Sequence, residues 1–154
     1  MHDRPLAQLS QILETQGVDA GLGFLNARVP HRSSAVFMND GLLLRMVGFH
    51  DEVGAQPLDF LRTIPFASSF CQYALEHGVF VTADATRDPR LEGALLRQVI
   101  SSYVGLPVIG PQGGVGSFCH FDLMQKGVSV ADEELQFLSR AMPLLVAHIP
   151  PGKP

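Results

Sequence analysis

At 154 residues the chain is long enough for one core, and we treat residues 1–154 as a single domain with no room for a second. Its hydrophobic fraction of 46% and charged fraction of 17% argue against a disordered chain. Eleven Lys and Arg against fifteen Asp and Glu leave a net charge of -4, so the chain lacks the basic surface that nucleic-acid binding requires.

Two helices are predicted at the amino-terminal end. Leucine and isoleucine recur at helical spacing from Leu6 to Leu13, which predicts a first helix within residues 1–18 that ends at a glycine. A second helix is predicted over residues 19–28, with Asp19 as an acidic cap at its start.

A β-hairpin is predicted next. Two apolar runs, at residues 35–38 and 42–49, flank an Asn-Asp-Gly sequence, and Asp-Gly favours the positive φ angles of a tight hairpin turn. Two prolines punctuate residues 50–67, so we expect a surface loop there with one helical turn near Asp59.

A short helix and a strand are predicted after this loop. Ser69 stands three residues before Gln72, which is the spacing of a capping box. The helix predicted over residues 70–77 is stopped by Gly78. Residues 79–82 are predicted to form a strand.

The chain is then predicted to pass through turns into a second hairpin. Aspartates and a proline make residues 84–90 a turn-rich loop, and residues 91–98 are predicted to hold one or two helical turns. Strands are predicted at residues 102–109 and 115–121. The glycine-rich linker at 110–114 that joins them is the strongest hairpin signal in the chain.

A closing helix completes an α+β pattern. Ser129 and Asp132 again have capping-box spacing, and an apolar face extends to Val146. Pro143 should bend this helix, and a proline-rich tail follows at residues 149–154. Because sequential strands joined by tight turns are antiparallel, the order of elements predicts an antiparallel sheet with helices packed on it.

The expected compartment and the redox state of the cysteines follow from the lack of export and membrane signals in the sequence. Its first residues carry no secretory signal, and no segment reaches the roughly 18 apolar residues of a membrane span, so we expect a cytoplasmic protein without membrane contact. Cys71 and Cys119 are then expected to be reduced, with a small buried hydrophobic side chain as the default role of each. No Walker motif, nucleophile elbow or zinc-protease motif occurs, so no complete catalytic site is predicted.

An ordered set of residues resembles a GAF domain, the sensor fold of phytochromes and cyclic-nucleotide phosphodiesterases. The resemblance covers about residues 19–148 and is similar to the bacterial GAF domains found ahead of histidine kinases and diguanylate cyclases. The residues that carry it are 69–75, 79–81, Asp84, 88–90, 103–108, 116–119 and Asp122.

The resemblance implies a central antiparallel sheet of five or six strands, with the terminal helices on one face and a ligand pocket on the other. It further implies a stand-alone sensory or regulatory domain that binds a small molecule of unknown identity. A homodimer through the terminal helices and a signalling partner such as a kinase or cyclase are expected, and no cofactor is identified. The implied pocket residues are Phe70, Tyr73, Asp84, Arg90, Tyr103, Cys119 and Phe121.

Two alternatives remain open at this point. GAF-type enzymes that reduce free methionine sulfoxide use a nucleophilic and a resolving cysteine, and Cys71 and Cys119 are the candidates here, although neither lies in the sequence setting of that enzyme's cysteines. The second alternative is a structural dimerisation module whose pocket is filled by side chains.

Bilin attachment at Cys119 and His120 is not favoured, because bilin-binding members carry that cysteine in a different part of the pocket.

The region before and at the start of the last helix matches only part of the pattern of cyclic-nucleotide-binding GAF domains. Members carry an Asn-Lys pair, a Phe and an Asp-Glu pair, whereas this chain has Gln125, Lys126, Val128, Asp132 and Glu133. Two of the five positions depart. The acidic pair is explained by a helix N-terminus, where a carboxylate contributes roughly 0.3–1 kcal/mol.

Overall fold

Four helices pack around a six-stranded sheet in the computed structural model, which describes residues 3–110, 113–124, 127 and 130–149. The helices are α1 (Asp3–Gln16), α2 (Val18–Asn26), α3 (Cys71–His77) and α4 (Asp132–Val146). The strands are β1 (Ser33–Asp40), β2 (Leu43–Asp51), β3 (Thr63–Pro65), β4 (Phe80–Thr82), β5 (Ser102–Ile109) and β6 (Val115–Asp122). Short 3₁₀ turns occur at Asp59–Leu61, Phe66–Ser68, Ala85–Arg87, Pro89–Leu91 and Leu95–Gln98.

The strand order in the sheet is β3-β2-β1-β6-β5-β4, and every neighbouring pair is antiparallel. The two predicted hairpins are confirmed as β1–β2 and β5–β6, and β1 pairs with β6 in the middle of the sheet. Gly41 supplies the positive φ angle, 73°, of the first hairpin turn. The predicted α+β class with an antiparallel sheet is therefore confirmed.

Side chains of the sheet point alternately to two faces. On β5, Val104 joins an apolar cluster with α1, α2 and α4, whereas Tyr103 joins a second cluster with α3. On β1, Val36 and Phe37 divide in the same way. We call these two surfaces the helix face and the α3 face. The first and last helices lie on one face of the sheet, as predicted.

The helix face is closed by apolar packing and one ion pair. Arg28, two residues after the end of α2, forms a two-pronged ion pair with Glu134 of α4 at 2.9–3.1 Å and lies over the Phe137 ring at 3.8 Å. Among the helices described, none combines the length and hydrophobicity needed to cross a bilayer. Burial of each leucine here contributes about 1.5–3 kcal/mol. Among the described residues of this face, the fully buried leucines are Leu9, Leu22, Leu25, Leu138 and Leu145.

The start of α2 differs from the prediction. Gly17, with a φ of 94°, precedes the helix, and no side chain caps its first turn. Asp19 lies inside that turn, where its Oδ1 accepts a hydrogen bond from the Phe49 N–H of β2 at 3.0 Å. The predicted capping role of Asp19 is therefore wrong. A glycine with positive φ lets the chain pass from α1 into α2 before Asp19 is reached.

Strand β3 lies in the segment predicted to be a loop. Its three residues pair with residues 43–45 of β2, and Ile64 is buried. The helical turn predicted near Asp59 is confirmed as a 3₁₀ turn. Three residues that include a proline carry too little local signal for a strand, so β3 depends on its pairing with β2.

Only half of the predicted capping box at α3 forms. Ser69 Oγ accepts a hydrogen bond from the Gln72 N–H at 3.3 Å, but the Gln72 side-chain amide donates to the carbonyls of Ser69 and Ala67. α3 begins at Cys71, and Gly78 with a φ of 97° ends it as predicted.

Some predictions fall outside the residues that the structure describes. Ser129 of the second capping box is one, although α4 itself begins at Asp132 and contains Pro143. Residues 111–112 of the hairpin linker and the tail residues 150–154 are others. The comparison with cyclic-nucleotide binding also depends on Gln125, Lys126 and Val128, which are not described.

Gly48 makes the contact between β2 and α2 testable. A Cβ atom at Gly48 would lie 2.8 Å from Val18 Cγ1 and 3.0 Å from Leu22 Cδ1. We expect Gly48→Ala to lower the free energy of unfolding by about 1–3 kcal/mol, because these side chains must leave their packed positions. Urea unfolding measures the change, with Leu42→Ala as the control because the Leu42 side chain is exposed. Equal midpoints for the two variants would contradict close packing of α2 on β2.

Candidate functional site

The α3 face holds most of the residues predicted to line a pocket. Phe70, Tyr103, Cys119 and Phe121 are buried in its apolar cluster, and Tyr73 packs against that cluster. They come from the start of α3, from β5 and from β6. The structure thus brings five of the seven predicted pocket residues to one place.

Tyr103 lies at the centre of this face. Its ring leans along β5 over Gly105, so that a Cβ atom at Gly105 would lie 2.5 Å from the Tyr103 hydroxyl. Phe80 of β4 and Cys119 of β6 are the cross-strand neighbours of Gly105. Phe70 meets the Tyr103 ring edge-on, with ring centroids 5.3 Å apart. The centre of the face is occupied by the protein's own aromatic side chains.

Three polar groups meet at the tip of the Tyr103 ring. The Tyr103 hydroxyl lies 3.6 Å from Cys71 Sγ. Ser117 Oγ is buried at the same place. Burial raises the pKa of Cys71 and of Tyr103, and side-chain hydrogen bonding with Ser117 opposes this larger effect. The three groups form one small polar patch inside an apolar face.

Both cysteines are free thiols inside the α3 face. Cys71 and Cys119 are each only 2% exposed. Burial raises the pKa of the Cys71 thiol and raises that of the Cys119 thiol well above its usual range. A thiol attacks as the thiolate, so these cysteines are poorly suited to nucleophilic chemistry.

Arg90 holds the rim of the α3 face. Its guanidinium donates to the Val81 carbonyl and to Asp88, both at 2.6 Å, and lies over the Phe80 ring at 4.4 Å. Tyr73 stacks on Phe80, with ring centroids 5.1 Å apart. Hydrogen bonding to Arg90 lowers the pKa of Asp88 to about 2. These contacts fasten the loop after β4 to the sheet.

Asp84, also predicted to line the pocket, makes local contacts in the same loop. Its Oδ1 accepts a hydrogen bond from the Thr86 hydroxyl at 2.7 Å, and Arg87 approaches its Oδ2 at 3.9 Å. Asp84 and Arg90 therefore lie at the rim with contacts that shape the loop. A ligand-binding role for either of them stays a prediction.

His120 lies on the other side of the sheet from Cys119. Adjacent residues of a strand face opposite ways, and the His120 ring meets Phe118 of the helix face edge-on, with centroids 4.8 Å apart. Cys119 and His120 thus do not share one pocket. Among the described residues, no group of three or more His, Cys, Asp or Glu side chains is arranged to hold a metal ion.

A buried polar cluster surrounds His120. Its Nδ1 lies 2.6 Å from Ser34 Oγ, which accepts a hydrogen bond from the Asn26 amide at 2.9 Å. Because a serine hydroxyl can donate and accept at once, the tautomer of His120 sets the direction of its bond to Ser34. The His31 ring stacks on His120 with centroids 6.1 Å apart. Burial lowers the pKa of His31 to about 4, partly offset by Asp122, and lowers that of His120 to about 3.

An open groove lies elsewhere, along the outer edge of β2. β3 pairs with residues 43–45 of β2, and the Met46 N–H donates a hydrogen bond to the Arg62 carbonyl next to this pairing. Farther along β2, the β3 segment no longer lies beside it. The groove has a volume of about 460 Å3, and none of the seven predicted pocket residues lines it. It is lined by Asp19, residues 46–51, residues 54–57 and Arg62.

Sequence reasoning missed three residues of the α3 face. Gly105, Ser117 and Phe80 shape the space around Tyr103, yet they were not among the predicted pocket residues. Alternation along β6 is the signal that could have found Ser117, because it must face the same way as Cys119 and Phe121.

Comparison with curated proteins identifies a partial relative. No family model matches the chain. Over 94 residues the chain is 36% identical to a cyclic di-GMP phosphodiesterase from Pseudomonas aeruginosa. The match takes in 58% of this chain and 16% of that enzyme, so the chain spans about one sixth of the length of the curated relative it matches.

Solved structures define the class of fold. A free methionine-R-sulfoxide reductase from Neisseria meningitidis, solved with its substrate, has a TM-score of 0.72 at 14% identity and covers 96% of this chain and 87% of its own. The GAF domain of an Acinetobacter phosphoenolpyruvate-protein phosphotransferase has a TM-score of 0.71 at 11% identity, covering 93% and 89%. The chain therefore has a GAF-like fold, which confirms the fold that the sequence resemblance implied.

The histidine cluster predicts a pH dependence of stability. His31 and His120 stay neutral in the folded chain, whereas in the unfolded chain each takes up a proton near its ordinary pKa of 6.5. Stability is therefore complete above about pH 7.5 and is lost as the pH falls through 6.5 toward 4, by about 1.4 kcal/mol per pH unit for each histidine. Between pH 7.5 and 5.5 we expect a loss of about 2.5 kcal/mol from the pair.

Urea unfolding at a series of pH values measures this loss. His120→Asn should remove about half of the pH dependence, because one of the two buried imidazoles is gone. His77→Gln is the control, since the His77 side chain is exposed. A stability profile that stays flat from pH 7.5 to 5.5 would show that the two imidazoles are not kept neutral.

Proposed function

We propose that the chain is a sensory or regulatory GAF domain that acts in cytoplasmic signal transduction through a partner protein or through dimer geometry, and that it is not an enzyme. The observation that carries the proposal is the composition of the α3 face. Apolar and aromatic side chains there surround a few converging polar groups, which is the composition of a small-molecule site. The two thiols on this face are buried, and burial raises the pKa of each.

The alternative of a methionine sulfoxide reductase has support from fold similarity alone. Reduction of a sulfoxide by thiols needs an accessible thiolate and a second thiol that closes a disulfide. Cys71 and Cys119 are both buried, and burial raises the pKa of both thiols. These environments oppose the first chemical step.

The partial relative supports a signalling role. The matched stretch is one sixth of an enzyme that acts on the second messenger cyclic di-GMP. A segment of that size is consistent with a regulatory domain beside a catalytic part. We therefore propose that this chain works with a signalling enzyme, such as a kinase or a cyclase.

A homodimer through the terminal helices is part of the proposal. Among the described residues, the large apolar side chains that are exposed include none from α1 or α4. Such an interface would therefore depend on the polar outer surfaces of these helices. The filled α3 face is the observation that favours the other candidate, a structural dimerisation module without a ligand.

Turnover of free methionine-R-sulfoxide separates the sensor from the reductase. With dithiothreitol as reductant, we expect no methionine to form above the rate without protein, because neither thiol is accessible as a thiolate. Chromatography of free methionine measures this, with the Neisseria meningitidis reductase as the positive control. Turnover in the parent chain that disappears in Cys71→Ser or Cys119→Ser would refute the non-enzymatic proposal.

A panel of small molecules separates the sensor from the filled module. A ligand that binds only the folded chain stabilises it by RT ln(1 + L/Kd), where L is the free ligand concentration, so its melting temperature rises with ligand concentration. We expect at least one member of a panel of cyclic mononucleotides, cyclic di-GMP, amino acids, haem and biliverdin to do so in a thermal-shift measurement. No shift with any member, together with a dimer in sedimentation analysis, would favour the structural module.

A further inference from the structure

We propose that the Tyr103 side chain occupies the chain's own ligand site in place of a planar ring-bearing ligand with one polar substituent, and that the site opens when this side chain turns out. This inference rests on the proposed sensory function and adds to it a means of regulation. We call the Tyr103 side chain in this position the tyrosine plug.

The plug depends on a glycine beneath it. Tyr103 and Gly105 are two residues apart on β5 and face the same way, so the ring can lie flat along the strand only where no side chain stands. A Cβ atom at Gly105 would be 2.5 Å from the Tyr103 hydroxyl and 2.6 Å from the ring carbon Cε1. Both ring atoms belong to a side chain that can rotate. A methyl group at this position therefore expels the ring.

The surroundings of the plug define the chemistry of the ligand. The ring contacts Phe70 edge-on and Phe80 at a tilt of 52°, which are arrangements that aromatic rings prefer. Its hydroxyl reaches Cys71 Sγ at 3.6 Å, beside the buried Ser117 hydroxyl. A ligand in this space needs a flat apolar ring and a polar group at one end. A ligand polar group at this end would meet the same Cys71 and Ser117 side chains that the Tyr103 hydroxyl meets.

The cover over the plug consists of short turns. Residues 83–101 pass over this face as 3₁₀ turns with no α-helix or strand, and apolar side chains from them join the cluster. At the rim, Arg90 contacts Asp88, Val81 and Phe80, and its own side chain is half exposed. Most backbone hydrogen bonds of this segment join residues three or four apart, and such segments open more readily than a sheet or helix core.

The first experiment removes the plug and supplies its chemical equivalent. Tyr103→Ala keeps the open space above Gly105 and should bind p-cresol, the side-chain analogue of tyrosine, at least about tenfold more tightly than the parent, in which few molecules have the site open. Titration calorimetry measures the affinity, and toluene, which lacks the hydroxyl, should bind Tyr103→Ala more weakly than p-cresol does. Gly48→Ala is the matched control, because its added methyl group strains the opposite face of the sheet.

Thiol labelling measures the opening of the unmodified plug. In a Cys119→Ser chain, Cys71 is the only thiol, and its reaction with iodoacetamide requires that the Tyr103 region open. We expect the labelling rate at low urea to be independent of urea, as local opening is, and to rise at least about tenfold in Gly105→Ala but not in Gly48→Ala.

Each outcome decides the inference. Equal p-cresol affinity in Tyr103→Ala and Gly48→Ala, or labelling of Cys71 that follows global unfolding at every urea concentration, overturns it. If Tyr103→Ala is too unstable for calorimetry, p-cresol must raise its melting temperature more than toluene does, and the labelling test on the Cys119→Ser chain still applies. A panel ligand that binds while p-cresol does not enter Tyr103→Ala overturns the plug and leaves the sensory function standing.

Discussion

The pairing of β1 with β6 joins the strands into a single sheet, and that sheet separates two apolar cores. Because successive residues of a strand point to opposite faces, each of these strands must supply both cores at once. On β6, Phe118 packs with the helices, whereas Ser117 and Cys119 face α3. A register shift of one residue would exchange the two sets, so the pairing determines which residues form the candidate site.

Burial on either side of the sheet decides the charge state of the groups that might react. On the α3 face it keeps the thiols of Cys71 and Cys119 protonated, and on the helix face it keeps His31 and His120 neutral. The physical cause is the same, since a charged form loses its hydration inside the protein. Charged pairs lie instead at the rims, where solvent is near, as between Arg90 and Asp88. Both cores thus keep their titratable groups in the uncharged form.

Local patterns predicted most of the elements, and contacts with distant residues explain the failures. The two hairpins and the glycine stop of α3 were correct because a turn sequence or a cap acts over a few residues. β3 was missed and the role of Asp19 was wrong because the partner in each case is β2, which is remote in the chain. Five of the seven predicted pocket residues lie together, and it was the resemblance to GAF domains that indicated them. The contacts of Asp84 and Arg90 at the rim could not be read in this way.

The sequence by itself determined the α+β class and the two antiparallel hairpins, because these follow from periodicity and turn chemistry. Its resemblance to GAF domains indicated the aromatic and thiol side chains that meet on one face. Only the tertiary structure decided that this face is filled and that Tyr103 fills it. Whether a ring lies over its own strand depends on the space above Gly105 and on the neighbours that β4, β6 and α3 bring to it. Some of those neighbours, such as Phe70 and Phe80, are more than twenty residues from Tyr103 in the sequence. The rotamer of Tyr103 depends on packing against them and not on the adjacent sequence.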